Sequence, residues 1–208
     1  MAPDGTGLGT TLRDLFSRRL PPDRPAWPPL VGLLVILFLS QVVSGSLLSL
    51  YYQASEEMAT ESVRHVMRDV RWGWLIRGIH HWSAQGMLVL ALLQIGSVFV
   101  AAGWRRRGTG WLTWLLVFGL VALFTCTGEA LPWDTDAYWV TDAALDRLES
   151  LPLLGPALAG ALRGGQETGG ATLSRAYSAH ALVLPWLLTF VLLLHFALAA
   201  RRRRAGGV

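Results

Sequence analysis

The sequence contains no lysine, a single cysteine and few charges of either sign. One cysteine, Cys126, excludes an intrachain disulfide, and its position inside an apolar run reads as packing. Charged residues are only 15% of the chain and hydrophobic ones 52%, which excludes both an ordinary soluble globule and a disordered chain. All 18 basic residues are therefore arginine, and a net charge of +4 would by its sign suit a nucleic-acid partner. Their placement excludes one. They concentrate in an N-terminal tail (Arg13, Arg18, Arg19, Arg24), at Arg105, Arg106 and Arg107, and from Arg201 to Arg204, each beside an apolar run. No internal repeat occurs.

The apolar runs carry the fold. A helix crossing a ~30 Å hydrocarbon layer needs roughly 20 apolar residues, and such runs lie at about 29–50, 74–102, 111–131 and 179–200. They predict an all-α membrane protein, a bundle of four transmembrane helices. The first run follows a basic, proline-containing segment like that of a secretory signal, but it is too long and lacks a small-residue cleavage site. Four crossings put the arginine runs on one side and Asp134, Asp136, Asp142, Asp146, Glu149 and Glu167 on the other. The positive-inside rule then places both termini in the cytoplasm of a bacterial inner-membrane protein, with the arginines against anionic lipid. The expected division is a cytoplasmic tail over 1–27, a four-helix domain over 28–200 and a basic tail over 201–208. Between the first two spans, Gln53 to Trp72 alternates charge and reads as a short surface helix. The loop after the third span is long, which marks a functional cap or docking face. Thr141–Glu149 and Gly155–Arg163 have helical periodicity there, interrupted by Pro152 and Pro156, and predict two helices on the membrane surface.

Four of the five histidines fall inside predicted spans, where an ionisable side chain normally faces a partner or a cofactor. His80, early in the second span, and His180, early in the fourth, lie at the same outer level and can supply both axial imidazoles to one haem iron. A second pair would lie about four turns deeper, since fourteen residues advance roughly 21 Å and return within about 40° of the same face. His195 stands fifteen residues after His180, but Gln94 stands fourteen after His80. Gly45 and Gly128, near the outer ends of the first and third spans, leave room for a flat macrocycle between helices. His81 points about 100° away from His80 and reads as an interface residue. His65 reads as a solvated histidine. Glu129 leaves two readings open, a proton path and an interface salt bridge.

Four motifs in order, Trp74-Leu-Ile-Arg77-Gly-Ile-His80-His-Trp-Ser-Ala, Leu131-Pro-Trp-Asp134 with Tyr138-Trp139, Leu151-Pro-Leu-Leu-Gly155 and Thr172-Leu-Ser-Arg175-Ala-Tyr-Ser-Ala-His180, resemble the N-terminal half of cytochrome b. The split form found in bf-type complexes is the nearest likeness, and it covers Trp27 to Arg201. The resemblance implies that His80 and His180 ligate a haem b near the outer surface, and that Arg77 meets a haem propionate. It also implies that Gly45 and Gly128 are helix contacts of that haem, and it counts Arg175 with the cofactor contacts. It further implies a quinol-oxidising complex in which residues Trp139 to Gly164 wall part of the outer quinol site. The expected partners are a C-terminal cytochrome b half (a subunit IV-like chain), a Rieske-type iron-sulfur protein, membrane lipid and a second copy in a homodimeric complex. The ordered motifs argue against other dihaem anchors such as those of hydrogenases or formate dehydrogenases.

The chain departs from the pattern at the inner haem, where Gln94 replaces a histidine and Val31 and Trp114 stand at the helix-contact glycines. The resulting expectation is one bis-histidine haem b. His195 is then a relic hydrogen-bonded to Gln94, or the ligand of a five-coordinate haem. Leu37 stands at the covalent haem-attachment cysteine of the bf-type proteins, so that extra haem is not expected either. The leading reading is an electron-transfer subunit of a quinol oxidoreductase, not active alone. The alternative is a haem-poor docking subunit that kept only the fold.

Overall fold

The computed structural model describes residues 28–100 and 108–205, all of whose regular structure is helical. The expected cytoplasmic tail of residues 1–27 and the arginines at 105–107 lie outside the described residues. In chain order the helices are α1 (Pro28–Ser49), α2 (Ala59–Arg68), α3 (Gly73–Val100), α4 (Gly108–Ala130), α5 (Thr135–Glu149), α6 (Gly155–Arg163), α7 (Gly170–Ser178) and α8 (Leu184–Ala205). Four apolar stretches, Leu30–Ser49, Gly73–Phe99, Gly110–Ala130 and Gly170–Arg201, are long enough to cross a membrane. The bundle is therefore multi-pass, as the sequence predicts.

Apolar residues surround each spanning helix on all sides, so sidedness comes from fit rather than from an amphipathic stripe. The packed centre holds Leu34 and Phe38 of α1, Met87 and Ala91 of α3, Trp114, Val117 and Val121 of α4, and Leu188 and Val191 of α8. In lipid the gain comes from dispersion contacts between closely fitted side chains, because tails on the outside are as apolar as the core. Ile36, Val43, Leu92 and Phe190 point outward. Cys126 also lies on the exposed face of α4.

The fourth span differs from a plain helix. It runs on from α7 through one widened π turn, Ala179–Val183, into α8, and the Leu184 N–H bonds the Ala179 carbonyl five residues back. Pro185 supplies the reason, because its ring would clash with the carbonyl four residues earlier and it has no N–H to offer it. One residue is thereby added to the turn that contains His180.

Among the described residues, the connections between the first two spans and between the last two form a cap at one end of the bundle, the outer end in the expected topology. α2 is the surface helix expected between the first two spans. α6 has the boundaries read from the sequence, whereas α5 begins six residues before the expected Thr141. The Asp134 carboxylate accepts the Ala137 N–H at 2.9 Å, which satisfies an orphan donor of the first turn. Arg163, nearly buried at the end of α6, clamps it to α5 through Asp146 and Glu149, both at 2.7 Å. The hydrogen bond and charge of Glu149 push its guanidinium pKa further up, so the clamp stays charged. Gly164 closes α6 at φ 80°, and the Arg175 guanidinium lies against it while donating to the Ala161 carbonyl. Asp134→Ala is expected to cost about 1 kcal/mol, the usual loss for an N-cap, read as a lower unfolding midpoint in detergent with the four spans intact.

Candidate cofactor site

At the outer end the four spanning segments part around a cavity of about 560 Å³. His80 on α3 and His180 in the π turn face each other across it, with ring centres 6.1 Å apart and planes at 63°. Phe124 stands edge-on to the His180 ring at 5.3 Å, and the Gln41 amide donates to the His80 carbonyl at 2.5 Å.

The protonation of both rings follows from counting hydrogens. Ser44 of α1 donates its single hydroxyl proton to the Ser40 carbonyl at 2.6 Å. Its oxygen also lies 3.0 Å from His80 Nδ1, and with its proton on the carbonyl it accepts there. Thr127 of α4 likewise donates to the Leu123 carbonyl at 2.8 Å and accepts from His180 Nδ1 at 3.0 Å. With the hydroxyl protons on the carbonyls, each imidazole carries its proton on Nδ1 and keeps the Nε2 lone pair, the form in which a histidine binds a metal. Two nitrogens each about 2 Å from a shared metal place their ring centres roughly 6 Å apart, which matches the observed spacing. Among the described residues no group of three or more His, Cys, Asp or Glu could hold a bare ion. The pair therefore suits a metal whose remaining ligands come from a cofactor.

Two glycines shape the cradle. A Cβ on Gly45 would lie 3.0 Å from His80 Cε1, and one on Gly128 would lie 2.8 Å from His180 Cε1. Both rings sit where only a backbone without a side chain lets them sit. The hydroxyl partners Ser44 and Thr127 directly precede these glycines and were not singled out in the sequence. Their signal there is the Ser-Gly and Thr-Gly pair on the helices opposite the histidines.

Arg77, one turn before His80, lines the cavity together with His81, Glu129, Asp134 and Asp136. Arg175 does not. It lies in the cap against Gly164, with its guanidinium donating to the Ala161 carbonyl. Tyr52 closes one side, donating to the Leu131 carbonyl at 2.7 Å. Burial, then the neighbouring Tyr177, raises its pKa well above the ordinary phenol value, so it remains a donor. His65 is exposed and pairs with Asp69 at 3.0 Å. Gln94 and His195 lie in the inner half, away from the cavity. The expected bond between them is absent. His195 Nδ1 instead contacts the Thr113 hydroxyl at 2.8 Å, and neither polar atom of the Gln94 amide has a partner among the described residues.

A family model described as cytochrome b/b6/petB matches residues 17–202. Cytochrome b6 of Synechococcus elongatus is 37% identical over 194 residues, 93% of this chain and 90% of the relative. Cytochrome b6 of Mastigocladus laminosus is 35% identical over the same shares of both chains. Among solved structures, a chain of a hyperthermophilic respiratory Complex III superposes with a TM-score of 0.72 at 25% identity. The superposition covers 92% of this chain and 52% of that one, so the present chain spans about half its length.

The glycines provide a test that does not depend on any ligand. Gly128→Ala is expected to destabilise by about 1–3 kcal/mol through overpacking, because the Cβ would enter the His180 ring. Gly32→Ala, which meets nothing within 4 Å, should be neutral or mildly stabilising. Thermal unfolding of the two purified variants checks the contrast.

Proposed function

The chain belongs to the cytochrome b family, and on that premise we propose that it is the haem b-binding, electron-carrying subunit of a quinol-oxidising bc- or bf-type complex. Family membership implies haem b. The single observation that supports its location is the opposed pair His80 and His180, each with Nδ1 at 3.0 Å from a hydroxyl, their ring centres 6.1 Å apart across a cavity. Haem iron between two imidazoles has no open position and supplies one-electron transfer rather than oxygen binding.

The chain's own residues do the orienting. Ser44 and Thr127 hold the rings by their outer nitrogens, Gly45 and Gly128 leave room for the macrocycle, and Arg77 offers a cation on the cavity wall for a propionate. α5 and α6, clamped by Arg163, close the outer end, and residues 139–164 form the part of the quinol site that this chain contributes. A C-terminal cytochrome b half and a Rieske-type iron-sulfur protein complete that site in a homodimeric complex. The arginine-flanked spans support an inner-membrane chain with both termini cytoplasmic. One haem b per chain is the proposed stoichiometry.

A reduced-minus-oxidised spectrum of the complex purified from membranes, with haem quantified per chain, tests this. His80→Ala and His180→Ala should each abolish the outer haem signal. Arg77→Gln should keep it and lower its reduction potential, because removing a nearby cation favours the oxidised, more positive iron. A preparation with no haem would leave only a docking role for the bundle, and haem retained by both histidine variants would overturn the assignment of His80 and His180 as its ligands.

A further inference from the structure

Three histidines of the bundle share one local arrangement, and the third departs from it at a single residue. His195 Nδ1 contacts the Thr113 hydroxyl at 2.8 Å, and that hydroxyl commits its proton to the Gly110 carbonyl at 2.8 Å. It therefore accepts from His195, just as Ser44 accepts from His80 and Thr127 from His180. In each case the next residue in the chain is the one set against the imidazole. For His80 and His180 that residue is glycine, and even a Cβ there would meet the ring at 3.0 and 2.8 Å. For His195 it is Trp114, whose indole lies 4.8 Å from the imidazole centre at 61°.

Trp114 is 2% exposed and belongs to the same packed cluster as Ala91 and Val98 of α3 and Leu188 and Val191 of α8. Gln94 lies between Ala91 and Val98 on α3, fourteen residues beyond His80, which returns it to within about 40° of the face that carries His80. It is 1% exposed, and neither atom of its amide finds a partner among the described residues. Unpaired buried amides are rare, and here one occupies the level at which a fourth imidazole would complete a second pair. The π turn agrees with this layout. By adding one residue after His180, it makes the fifteen-residue step to His195 equivalent to fourteen and returns both histidines to one face.

We infer that the inner half of the bundle is a second macrocycle pocket closed by Trp114, leaving one redox centre per chain and no second centre through which charge could cross to the inner face. The residues present do not fit a second haem: the indole fills the place of a glycine and an amide replaces an imidazole. This rests on the outer site holding a haem, and the test separates the two.

Haem per chain and a redox titration should be measured on the wild-type complex and on Gln94→His, Trp114→Gly with Gln94→His, and the same pair with Val31→Gly. Wild type should carry one haem and titrate in a single one-electron step. Gln94→His alone should stay at one, because the indole still fills the pocket. The double or triple variant should rise to two, with a second low-spin signal in electron paramagnetic resonance. Two haems in wild type would overturn the inference, as would double and triple variants that keep the outer-haem spectrum yet stay at one. No haem in wild type would overturn the outer-site reading instead. Should the multiple variants fail to assemble, the wild-type titration still decides, one step in favour and two against.

Discussion

The hydrogen bond from a histidine Nδ1 to a hydroxyl that has no proton left to give is the contact on which this site depends. A serine or threonine inside a helix can donate to a carbonyl one turn back, and Ser44 and Thr127 both do. That leaves each oxygen purely an acceptor, which sets the tautomer of the facing imidazole and turns its Nε2 lone pair to the cavity. A hydroxyl free to rotate would leave the tautomer undetermined.

The rest of the bundle holds those helices in register. Leu34, Phe38, Val121 and Leu188 pack the centre, so the spanning helices meet closely there and separate at the outer end. The π turn at Ala179–Val183 is the local departure from regular helix on the wall that carries His180. It follows from Pro185, which cannot continue an ordinary helical ladder. The cap of α5 to α7 closes the mouth; Arg163 ties α6 to α5 through Asp146 and Glu149, and Leu173 of α7 packs with Ala59 and Trp133 beneath it.

The two ends of the bundle show one local pattern carried to different results. The outer pair has glycine after the hydroxyl residue, and the inner histidine has tryptophan. A single side chain of that volume decides whether the space beside an imidazole is a pocket or part of the core, because interiors are packed too tightly to hold both.

Much was legible in the sequence. Hydropathy runs of sufficient length set the four spans, since lipid leaves the backbone no alternative to a helix, and the placement of His80 and His180 near matching ends made them a pair before any coordinates. The start of α5 was not legible, because Asp134 caps a helix whose first turns lack apolar periodicity. Nor was the Arg175 contact with the Ala161 carbonyl, nor the Thr113 contact of His195, which depends on which helix stands opposite. Length, hydropathy and residue spacing act along one chain, so the sequence by itself determined the membrane bundle and its candidate ligands. Tautomer, clearance and cavity arise between helices, so only the tertiary structure decided that one histidine pair faces open space and that the third imidazole meets an indole.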